Sequence, residues 1–258
     1  MNTFADLKID VDLVDRLEQL GFTQPTALQQ EAIPAILRGT SAVGLASAGS
    51  GVTLAYGLGM AGRLDAGDPD LQALILLPTD DRAAAVADSL HQLLSVRGLR
   101  VGTLSPGAYG SRQAVTSSPA AALAALEHSA IKLDSVRVLV VDGAAPMMEL
   151  GAGPALETLI AQIPKDAQRI VLTARLTPEV EGWIERHARR ARQFAYMPAE
   201  PKGLTNASVE FFAAHPDQWL PVLLGELAGK AGGRQTVVSV HCRRPAEARE
   251  LADRLQVR

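Results

Sequence analysis

The segment Ser41-Ala42-Val43-Gly44-Leu45-Ala46-Ser47-Ala48-Gly49-Ser50-Gly51-Val52-Thr53 runs from a short apolar stretch through a glycine-rich turn into a region of helical spacing, Leu54 to Leu64. Apolar runs of this length, bounded by Gly, Pro or Asp and too short for helices, read as buried strands of a parallel sheet. Outward from this segment, the same kind of run recurs at Leu71 to Leu77, Arg100 to Leu104, Val136 to Val141, Gln168 to Leu172, Val209 to Phe212 and Thr236 to Val240. Helical spacing fills the intervals at Asp81 to Leu94, Pro154 to Ile163 and Pro178 to Ala188, and these segments open with Pro or Asp as helix starts do. The alternation predicts an α/β fold, with a mostly parallel sheet over residues 35–197, right-handed crossovers and helices on both faces. Ligands of open α/β sheets sit at the carboxyl ends of strands, which is where the glycine turn falls.

Met197 to Thr205 carries Pro198, Pro201 and Gly203 and interrupts the pattern. The expected organisation is a domain over residues 1–197, a linker over 198–205 and a short α/β unit over 206–258, smaller than an independent open-sheet domain. At 258 residues and 47% hydrophobic, the chain buries one large core or one core plus a small unit. The net charge of −3 excludes a bulk polycationic nucleic-acid binder and restricts any RNA contact to a local patch. Cys242 is the sole cysteine, so no internal disulfide forms, and no zinc-ligand spacing is present. No apolar run approaches the roughly 18 residues of a membrane span. Together these predict a soluble, cytoplasmic protein of a reducing compartment.

The segment Gly21-Phe22-Thr23-Gln24-Pro25-Thr26-Ala27-Leu28-Gln29, followed by Glu31-Ala32-Ile33-Pro34, has one reading as a capped amphipathic helix with Phe22 simply packed. It also closely resembles the Q motif of DEAD-box RNA helicases. That resemblance implies a RecA-like three-layer fold with an adenine nucleotide site, in which an aromatic ring stacks on the base and a glutamine amide reads its edge. Phe22 and Gln29 stand at those positions, and Phe4 stands where a further upstream aromatic would be. The turn Ala46, Ser47, Ala48, Gly49, Ser50, Gly51, Val52, Thr53 is similar to the family's phosphate loop. Its glycines let backbone N–H groups approach phosphates, the helix start adds partial positive charge, and Thr53 would supply a magnesium-binding hydroxyl.

Several positions depart from the family pattern. Val52 replaces the lysine that neutralises the β and γ phosphates. A charged hydrogen bond of this kind contributes about 1.5–3 kcal/mol, so ATP affinity is expected to fall roughly ten- to a hundredfold and to depend little on phosphate number. In Leu139-Val140-Val141-Asp142-Gly143-Ala144-Ala145, Asp142 matches the aspartate that holds Mg2+ through water. Gly143 replaces the glutamate that orients the attacking water, and Ala145 replaces the aspartate that links to the Ser-Ala-Thr motif, which here reads Thr173-Ala174-Arg175. RNA contacts in the family would map to Pro78 and Thr79, ahead of Asp80-Asp81-Arg82, and to Ser118 and Pro119, with both expected arginines missing. A basic cluster, Arg186, His187, Arg189, Arg190 and Arg192, reads either as a helix end whose cations complement the macrodipole or as a surface for RNA or an acidic protein. Residues after 205 are similar to the opening of a second RecA-like domain, without its arginine-finger motif. The resemblance thus implies a catalytically inactive helicase-like module that binds RNA, a ribonucleoprotein or another protein, with weak ATP and Mg2+ binding at most. Its alternatives are an ATP-dependent RNA helicase fragment that needs a second RecA domain, and a non-hydrolysing adenine nucleotide sensor.

Overall fold

The computed structural model describes residues 3–46, 49–104 and 111–196. Ser47 and Ala48 of the glycine turn, the linker over 198–205 and the expected elements at Val209 to Phe212 and Thr236 to Val240 lie outside the described residues. The chain divides into two units, Met1–Lys202 and Gly203–Arg258, and all the described residues belong to the first.

Helix α1, Val11–Gln19, buries Leu13 and Leu17, four residues apart on one face. Helix α2, Ala27–Leu37, starts at a capping box: the Thr26 hydroxyl accepts from the Gln29 N–H and the Gln29 carbonyl oxygen accepts from the Thr26 N–H. Strand β1, Ala42–Ala46, leads through the glycine turn into α3, Val52–Ala61. There follow β2, Ala73–Leu76; α4, Asp80–Leu94; β3, Val101–Thr103; β4, Ala114–Ser117; and α5, Pro119–Glu127. The remainder is β5, Val138–Asp142; α6, Ala144–Glu149; α7, Gly153–Gln162; β6, Gln168–Thr173; α8, Pro178–His187; and β7, Arg192–Tyr196.

The strands form one sheet in the order β3-β4-β2-β5-β6-β1-β7, every pairing parallel. Alternate residues of each strand enter opposite cores, as the period of two requires. Ile75, Val140 and Ile170 pack with Leu17, Ile33, Leu58 and Leu90 of α1 to α4, whereas Leu74, Leu139 and Val171 pack with Leu159, Val180 and Trp183 on the α5 to α8 face. This is the three-layer α/β architecture expected from the sequence.

Helix α2 lies so close to α3 that a Cβ on Gly59 would sit 2.6 Å from the Ile36 Cβ. The approach holds the capping box of α2 beside the turn that starts α3. At the amino ends of the strands, buried Gln168 donates to the Ile36 and Thr40 carbonyls and thereby fixes the end of α2 to β6.

Candidate functional site

The carboxyl ends of β1, β2, β5 and β6 carry the residues singled out from the sequence. Gly49 and Gly51 both adopt left-handed φ, +81° and +82°, which lets the chain turn from β1 into α3. Ala46 is the buried last residue of β1, and Ser50 is buried behind the turn. Gln29, only 3% exposed, joins the two motifs: its amide nitrogen donates to the Gly51 carbonyl at 3.1 Å while its oxygen accepts from Thr26. The Thr26 hydroxyl donates to the Ser50 carbonyl at 3.4 Å. Val52, first residue of α3, packs against the core of α2 and α3. Phe22 is 46% exposed, whereas Phe4, 3% exposed, belongs to the core with Leu7 and Ile9. Phe4 is therefore a packing residue and not a free stacking platform. Phe22, Gln29, Gly51, Thr53 and Arg82 line one cavity of about 290 Å3.

Tyr56 was not singled out from the sequence, although it follows Thr53 by three residues and so lies on the same helix face. Its side chain is buried, and its hydroxyl donates to the Asp142 carboxylate at 3.2 Å and meets the Thr53 side chain. Burial and the Asp142 charge push the phenol well above its ordinary value, so Tyr56 is a neutral donor. Burial also raises Asp142 above its ordinary 3.8, against the Tyr56 hydrogen bond and the positive charge of Arg82, which lower it. The two candidate magnesium ligands, Thr53 and Asp142, thus both already meet Tyr56.

A carboxyl whose folded value is raised binds more protons folded than unfolded, so stability is lost as pH rises through the window just above 3.8. Asp142→Asn keeps an acceptor for Tyr56 and removes the charge. It is expected to be more stable than the parent at pH 7, and the difference is expected to vanish by about pH 3.5 in urea titrations at the two pH values. An equal difference at both would show that burial of charge is not its source.

Beyond Asp142 the backbone departs from an ordinary helix entry. Gly143 has φ +98°, and a Cβ there would lie 2.9 Å from the Pro78 ring. The link expected to be lost at Ala145 survives through the main chain, because the Ala145 N–H donates to the Thr173 hydroxyl, which donates to the Arg175 carbonyl. The RNA-contact candidates have structural roles of their own. Thr79 and Ser118 cap α4 and α5, and Pro119 is the first residue of α5. Asp80 bridges the two loops by accepting from the Ser118 N–H at 3.3 Å. Acidic residues at the start of α4 also suit the helix dipole.

The basic cluster is divided by the structure. Arg186 and His187 end α8 and both bind Glu157, whose carboxyl burial pushes up but these two partners hold below its ordinary value. Arg192 is not part of that helix end; it opens β7, with its guanidinium 5.1 Å above the Phe194 ring. Among the described residues, no helix is long and apolar enough to cross a membrane.

The chain is 30% identical over 195 residues to the ATP-dependent RNA helicase CshA of Listeria monocytogenes, covering 72% of this chain and 38% of that protein. It is 27% identical over 244 residues to the ATP-dependent rRNA helicase RRP3 of Scheffersomyces stipitis, covering 89% and 50%. The chain therefore spans half or less of the length of these relatives. Among solved structures, S. cerevisiae Dbp5 bound to Gle1 and IP6 superposes with a TM-score of 0.79 at 20% identity, over 98% of this chain and 72% of that one. A DEAD box protein from Methanococcus jannaschii gives 0.73 at 20% identity, over 98% and 70%. At such identities the two structures speak to the fold alone. The profile of the DEAD/DEAH box helicases matches residues 26–182, more than half of the sequence and every strand from β1 to β6. With the glutamine-capped α2, the glycine turn and Asp142 all inside that match, the chain belongs to the DEAD/DEAH box helicase family.

Proposed function

We propose that this protein is a non-hydrolysing DEAD-box helicase-like module that acts by binding RNA, a ribonucleoprotein or a protein partner, and retains weak adenine nucleotide binding. In this reading residues 1–197 are the nucleotide-binding-type domain and 206–258 the start of a second unit. The observation that carries it is Gly143: where the family's water-orienting glutamate belongs, the backbone is left-handed and packed on Pro78. Phosphoryl transfer depends almost wholly on positioning and electrostatics, and this chain lacks both the carboxylate that orients water and the loop lysine that neutralises the phosphates. Phe22 and Gln29 would hold the base, and the N–H groups of the Gly49 to Thr53 turn would face the phosphates. Thr53 and Asp142 would hold Mg2+, with Asp142, one oxygen of which accepts from Tyr56, as the candidate carboxylate.

The names of the relatives favour a second reading, the first half of a working ATP-dependent RNA helicase completed by a second RecA domain. A phosphate-release assay with Mg2+, with and without RNA, separates the two. The expected result is no turnover above background, unchanged in Val52→Lys because Gly143 leaves water unoriented. RNA-stimulated turnover of about 1 per second or faster would establish the enzyme instead.

A further inference from the structure

The cavity beside the glycine turn holds a cation that the sequence pattern does not foretell. Arg82 is the third residue of α4, with its N–H bound to the Thr79 cap. It is the one charged residue among those lining the 290 Å3 cavity with Phe22, Gln29, Gly51 and Thr53. The other α4 residues on that wall, Ala85, Val86, Ser89, Leu90 and Leu93, are neutral. Arg82 makes no side-chain hydrogen bond or ion pair with the described residues, and its charge reaches Asp142 and Tyr56 through space. The topology explains the placement. Strands β2 and β5 are parallel neighbours, so the first turn after β2 stands beside the end of β5.

A guanidinium keeps its charge at all ordinary pH values and offers paired N–H donors that match phosphate oxygens. The cavity thus combines a ring and an amide suited to a base, a helix start suited to phosphate, and an uncommitted cation. We propose that Arg82 supplies from α4 the positive charge that Val52 removes from the loop, so that the cavity selects adenine nucleotides bearing a β-phosphate over AMP. The assignment rests on the reading that the site still binds adenine nucleotides, and it replaces the expectation that affinity is indifferent to phosphate number.

Titration calorimetry of the full chain with ATP, ADP and AMP in EDTA tests it without relying on metal or turnover. ATP and ADP are expected to bind about tenfold more tightly than AMP, equivalent to about 1.4 kcal/mol. Arg82→Ala is expected to bring the three within about twofold of one another by weakening ATP and ADP more than AMP, and Arg82→Lys to fall between. The Arg82 side chain is exposed and unbonded, and alanine suits a helix, so both variants should melt like the parent. If AMP binds but the parent shows no preference, or if the preference survives Arg82→Ala, the role of Arg82 is overturned while nucleotide binding stands. If none of the three binds the parent, nucleotide binding itself is refuted and the assignment with it.

Discussion

Gly143→Glu, which places the family's carboxylate at the end of β5, is expected to destabilise the protein by about 2–5 kcal/mol and to leave it without ATPase activity. Two physical terms add. A side chain at φ +98° must occupy a conformation that L-residues disfavour, at roughly 1–2 kcal/mol. Its Cβ would also lie 2.9 Å from the Pro78 ring, a member of the β2 to α4 turn that cannot swing away as a flexible chain end could, and overpacking of this kind costs about 1–3 kcal/mol. For a domain of this size, the loss corresponds to a fall in melting temperature of roughly 4–20 °C. Combining it with Val52→Lys should restore both lost chemical groups on paper and still give no phosphate release above background. The decisive pair of measurements is thermal melting and RNA-stimulated phosphate release. A single mutant as stable as the parent would show that the backbone at Gly143 is no obstacle to glutamate.

The second large effect concerns the core beneath α5 to α8. Trp183 is 2% exposed at the centre of the α5 to α8 core, and its ring centroid lies 4.8 Å from that of His187. Trp183→Ala is expected to destabilise by about 3–5 kcal/mol, the range for removing a large aromatic side chain from a packed interior. Part of the loss should be felt at the end of α8, since His187, which the ring supports, is bound to Glu157 of α7 at 2.8 Å. Urea denaturation measures it, and a change below about 1 kcal/mol would mean that the face repacks around the void. Binding at the cavity of Phe22 and Arg82 should be unaffected where the variant is folded, because that cavity opens on the other face.

What the sequence discloses of this molecule follows from how strongly each residue's surroundings constrain it. Strands β2, β5 and β6 lie inside the sheet, and their apolar runs were readable to within about two residues. Strand β4 was missed because Thr116 and Ser117 are polar yet buried; their hydroxyls are satisfied by the Ala83 and Ser118 carbonyls, an arrangement no pattern of hydrophobicity records. Strand β7 was missed because Arg192 and Gln193 give an edge strand the look of a helix end. Helix α5, Pro119–Glu127, is so rich in alanine that no periodicity shows. In the candidate site, the losses at Val52 and Gly143 were legible as missing residue types. The left-handed backbone at Gly143 and the position of Arg82 were not, since both depend on strands distant in sequence lying side by side.

Gln29 bears on what a family signature reports. Its amide is already committed on both sides, to the Thr26 N–H and to the Gly51 carbonyl. A helix start and a glycine turn far apart in the chain are therefore held by one side chain, whether or not a base is present. Removing the glutamine would open both contacts at once, so a variant at Gln29 would confound recognition with collapse, whereas the half-exposed Phe22 can be changed to question the ligand alone.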